Sequence, residues 1–115
     1  MLKWMVYYED WNGKKIEPFN VFRHGGFLND LRKAAKKVHV REDIKEEKEW
    51  FLDQLRRSLG YYYWSKCEWE LVLTPWVCRE GVKDVKIDVY SQVMMNWEVF
   101  SEYVWKNRKE LRKNE

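Results

Sequence analysis

Between residues 2 and 22 large apolar and polar positions alternate about a central Asn12-Gly13 pair. A period of two marks a strand with one buried face, and Asn-Gly supplies the positive φ that a two-residue hairpin turn needs at both positions. Counting outward from that turn sets Trp11 opposite Lys14, Tyr8 opposite Glu17, Val6 opposite Phe19 and Trp4 opposite Val21. Trp4, Val6, Phe19 and Val21 then share one face, the expected core side. Pro18 has no N–H for a ladder, so its position is expected at an edge or a bulge.

Past residue 24 the apolar period lengthens. His24-Gly25-Gly26 reads as a tight turn. The stripe Phe27, Leu31, Ala34, Ala35 and Val38 then predicts a helix from Phe27 to Val38. A longer helix is expected from Glu42 to Tyr62 on Ile44, Phe51, Leu55 and Leu59, widened by Trp50 and Leu52, with Gly60 leaving its end open. Lys66 to Leu73 reads as a strand stopped by Thr74-Pro75, residues 76–84 as a loop, and Val85 to Tyr90 as a further strand. Ser91 is a favoured N-cap residue. It is expected to open a last helix to Arg112 on Val93, Trp97, Phe100, Val104 and Leu111. The order ββααββα predicts an α+β fold: an antiparallel sheet of about four strands with three helices on one face, as a single domain over residues 1–115.

Composition adds little to the fold and more to the function. The 115 residues include 8 Trp, 7 Tyr and 5 Phe, enough either to fill a small core or to spare rings for a partner surface. Net charge is +3, from 22 basic and 19 acidic residues, which argues against an acidic mimic of DNA. Where the charge sits matters more than its total. Arg32, Lys33, Lys36 and Lys37 cluster on the first predicted helix; Lys106, Arg108, Lys109, Arg112 and Lys113 cluster on the last. Solvated helix faces explain them, and two such faces pointing one way would bind phosphates or an acidic protein. The acidic tract Glu42 to Glu49 breaks up any uniformly positive surface. Tyr61-Tyr62-Tyr63-Trp64 suits either base stacking or a wedge into the core. With no secretion signal and only Cys67 and Cys78, a cytoplasmic setting with reduced thiols is expected.

His24, Cys67, Glu68 and Asp88 carry the candidate chemistry. In the predicted sheet, His24, Cys67 and Asp88 fall near one edge, and imidazole, thiolate and carboxylate are all Zn²⁺ ligands. Glu68 is the nearest fourth ligand, although neighbouring strand residues face opposite ways. A buried cysteine, a capping histidine and a surface aspartate account for the same residues. A Cys–His nucleophile system is less well supported, since no family context surrounds Cys67. No phosphate loop, dinucleotide fingerprint, calcium loop or serine-nucleophile elbow is present. Hence no catalytic residue is assigned.

Phe19-Asn20-Val21-Phe22 with His24-Gly25-Gly26-Phe27 resembles a stretch of small bacterial phage and mobile-element proteins. Residues 63–70, Lys86-Ile87-Asp88-Val89-Tyr90, Asn96-Trp97 and Tyr103-Val104-Trp105 share that resemblance. Some small proteins of that setting resemble anti-CRISPR inhibitors. The resemblance implies a stoichiometric binder, not an enzyme, that blocks a type II CRISPR effector nuclease or its guide complex in the bacterial cytoplasm, with a structural Zn²⁺ at His24, Cys67, Glu68 and Asp88. The alternatives are a nucleic-acid-associated accessory protein using the basic helices, and a small metal-dependent or cysteine hydrolase.

Overall fold

In the computed structural model, residues 2–9, 15–64 and 89–112 are described. Strands β1 (Met5–Glu9) and β2 (Lys15–Asn20) form a two-stranded antiparallel sheet. Val6 faces Phe19, as alternation requires, but beyond it the register slips and Tyr8 faces Ile16 instead of Glu17. Tyr7 alone on β1 is opposed by Glu17 and Pro18 on β2, so β2 carries a bulge at its proline. The Asn12-Gly13 turn lies outside the described residues. Val6 and Val21 are buried, and Trp4 and Phe19 pack half-buried against the same core. Asn20 fastens the hairpin to the 3₁₀ turn Val21–Arg23. Its Oδ1 accepts from the N–H groups of Trp4 and Phe22, and its Nδ2 donates to the Leu2 carbonyl.

Helix α1 runs Gly25–Ala35 and α2 runs Lys45–Leu59, continued by a π turn, Gly60–Trp64. The glycine pair thus opens α1 instead of preceding it. His24 is the N-cap; its Nδ1 accepts from the N–H groups of Gly26 at 3.1 Å and Phe27 at 3.4 Å, giving two of the helix's orphan donors a partner. All five residues of the predicted α1 stripe are buried, as are Phe51, Leu55 and Leu59 of α2. Gly60 keeps right-handed helical angles, so it does not end the helix. Gly26 is needed for contact: a Cβ there would come within 2.6 Å of the Tyr62 ring. Gly26→Ala should cost about 1–3 kcal/mol through this overpacking. Urea unfolding checks it, and a neutral result would mean that Tyr62 swings away freely.

The sheet of four strands is overturned. The described residues are mainly helical, with five α-helices and only the β1–β2 pair. Val89 and Tyr90, expected to close a strand, instead begin α3 (Val89–Met95), followed by α4 (Trp97–Lys106) and α5 (Arg108–Leu111). The reason is periodicity. Val89 extends the stripe of Val93, Phe100 and Val104 backwards at helical spacing, and all four are buried. The strand predicted at 66–73 lies outside the described residues. Asn96 and Asn107 break the last helix; their φ of −108° and −104° with ψ near 20° leave the helical region. Trp97, expected fully buried, is only half-buried beside the first break.

The helices close around one apolar cluster. α1 packs on α2 and α5, α2 on α4, and α3 on β1 and the π turn. Phe22 stands at its centre, stacked on Phe27 of α1 and Phe100 of α4 at 5.9 and 5.8 Å between centroids. Among the described residues no helix is long and apolar enough to cross a membrane.

Candidate nucleic-acid interface

The connector between α1 and α2, residues 36–44, has no regular hydrogen-bonded structure of its own beyond its turns. Its carbonyls need partners, and one side chain from α5 supplies three of them. Arg108 is only 5% exposed. Its Nε donates to the His39 carbonyl at 2.6 Å; one terminal nitrogen donates to Val40 and Glu42 carbonyls at 3.0 Å and to Asp43 Oδ1 at 3.1 Å. The other donates to the Trp105 carbonyl at 2.7 Å. The guanidinium lies 3.8 Å from the centroid of the Trp105 ring, a cation–π stack. Trp105 Nε1 donates to the same Asp43 oxygen at 3.0 Å. Sequence patterning counted Arg108 among surface cations; the Trp105-to-Arg108 spacing, one helical turn, was the available hint of a stacked pair.

With its backbone clamped by Arg108, the connector lines one side of a cavity of about 520 Å³. Among the described residues, Lys36, Lys37 and Arg41 line it from the α1 side and Arg112 from just beyond α5, beside the carboxylate of Glu42; one Arg112 nitrogen donates to the Val38 carbonyl at 3.4 Å. Lys36 and Lys37 of the first basic cluster and Arg112 of the last therefore meet here, because α1 packs on α5. Among the described residues neither Lys37 nor Arg41 is paired with a carboxylate. His39 also lines the cavity, but it is turned to Glu47: its N–H donates at 2.7 Å and its Nδ1 lies 2.8 Å from the carboxylate. That backbone N–H holds the Glu47 carboxyl below its ordinary value. Glu47 is thereby occupied at His39. The negative end of α1 also points this way, about half a charge against four full cations.

No family model, curated protein or solved structure matches this chain. Its function must be argued from these contacts.

The proposed zinc ligands fare differently. Cys67, Glu68 and Asp88 lie outside the described residues, as does Cys78. His24 is described, and its Nδ1 is committed to capping α1. Its ring packs against Tyr62 at 4.7 Å and Tyr63 at 5.9 Å. The Tyr63 hydroxyl donates to the Val21 carbonyl, and burial pushes its phenol up to about 12. Among the described residues no three His, Cys, Asp or Glu side chains gather as a metal site requires. His24 caps α1 through Nδ1, which leaves its Nε2 outside that role. Of the aromatic run, Tyr63 is core, Tyr62 is half-buried and Tyr61 is exposed.

Proposed function

We propose that this chain is a binding protein, not an enzyme, and that it holds the phosphate groups of a nucleic acid in the cavity between the α1–α2 connector and α5. One observation supports this above the others: cations far apart in the sequence, Lys37 and Arg41 on one side and Arg112 on the other, line one cavity. Phosphate is the natural occupant, because clustered Lys and Arg repel each other until a polyanion neutralises them and releases its counterions. Arg41 and Arg112 add planar, forked donors suited to phosphate oxygens. Such contacts position a backbone and carry no sequence preference.

Arg41→Gln and Arg112→Gln should therefore weaken binding to oligonucleotides of unrelated sequence alike, measured by fluorescence anisotropy. Unchanged affinity in both variants would remove the cavity from the account. The partner implied by the resemblance, a type II CRISPR effector nuclease with its guide RNA, presents the same phosphates, and inhibition of it is part of this proposal. Tight 1:1 binding to such a nuclease that survived moderate salt would place the contact on protein instead.

A further inference from the structure

We infer that the nucleic acid held in this cavity is single-stranded, with Trp50 as the stacking platform for one of its bases. The inference rests on the proposed function and names its ligand class.

Trp50 is one of the few large apolar side chains left open, with 38% of its surface exposed. Its place is set by two cavity residues. The Lys37 ammonium lies 6.0 Å from the Trp50 ring centroid. His39 is bound to Glu47, which precedes Trp50 by one helical turn and so lies on the same face of α2. The indole therefore stands beside the phosphate cavity. The Lys37 contact is at the outer limit of cation–π range, so the ammonium does not seal the ring.

A nucleotide carries its phosphate and base one sugar apart, and this edge of the protein offers cations and a ring in that sequence. In a duplex the base faces are already stacked on each other, and only the backbone is available. In a single strand each base has a free face, and aromatic stacking takes it with little sequence preference. Tyr61 is more exposed still, at 68%, but it lies eleven residues further along the chain from Trp50, roughly 16 Å at helical rise. It does not share the cavity rim and serves as the control.

The test compares a labelled oligonucleotide as a single strand and as a duplex, in RNA and DNA, against the full chain and its Trp50→Ala, Trp50→Phe and Tyr61→Ala variants. Circular dichroism confirms that each variant is folded. Single strands should bind more tightly than duplex. Trp50→Ala should weaken single-strand binding roughly 5- to 100-fold and leave duplex binding unchanged. Trp50→Phe should retain most of the affinity, and Tyr61→Ala all of it. Equal affinity of wild type and Trp50→Ala for single strands overturns the inference, as does equal binding of both forms; salt-sensitive binding to the duplex would then still support the phosphate cavity. Failure of both forms to bind overturns the proposed function and this inference together.

Discussion

Replacing Arg108 with alanine should destabilise the fold by about 3 kcal/mol or more, one of the largest losses available from a charged residue in this chain. The side chain is almost fully buried and donates to four main-chain carbonyls as well as to Asp43. Its loss leaves one buried and three part-buried carbonyls without that donor and removes the stack on Trp105. Asp43 adds little to the cost, because its carboxylate is 80% exposed and returns to water. Arg108→Lys should recover only part of the loss, since an ammonium cannot fork to several carbonyls while stacking flat on indole. Urea unfolding measures both. A loss below about 1 kcal/mol for Arg108→Ala would mean that the connector holds its shape unaided. The cavity proposed to hold phosphate depends on that connector, so stability and binding should fall together in this variant.

Phe22→Ala should cost about 3–5 kcal/mol, the range for emptying a fully buried aromatic position. Phe22 is 1% exposed and joins elements far apart in sequence, stacking on Phe27 and Phe100. The 3₁₀ turn that carries it is tied by Asn20 and by the Tyr63 hydroxyl on Val21. Rigid surroundings relax poorly into a cavity, which argues for the upper part of that range. Trp97, only half-buried, should cost much less when truncated. Thermal unfolding of the two variants side by side checks the order, and a larger loss at Trp97 would contradict the packing described.

Local patterns were legible where one period ruled. The α1 stripe from Phe27 to Val38 is buried throughout, and the Val6–Phe19 pair stands in register. Pro18 announced its bulge through a missing donor. The strand expected at Val85–Tyr90 failed at its end because Val89 and Tyr90 fit an alternating run and a helical stripe equally well, and packing against β1 and the π turn decides for helix. The breaks at Asn96 and Asn107 were hidden inside a continuous apolar stripe, since asparagine disfavours helix only weakly on its own. His24 was legible as a cap among its alternatives. The basic clusters were legible as clusters; that Lys36 and Lys37 of one and Arg112 of the other line one cavity depends on α1 packing against α5, which no local pattern encodes. Arg108 was misplaced for the same reason.

Phosphate binding in this cavity would show itself in the salt dependence of affinity. Binding of a labelled single-stranded oligonucleotide is followed from about 50 to 200 mM salt, where each phosphate contact contributes a slope of about −0.7 to log K against log salt. A steep linear fall is expected for the wild-type chain, shallower by about that amount for each cation removed at Arg41 and Arg112. A flat dependence, or one unchanged in the doubly substituted chain, would contradict it.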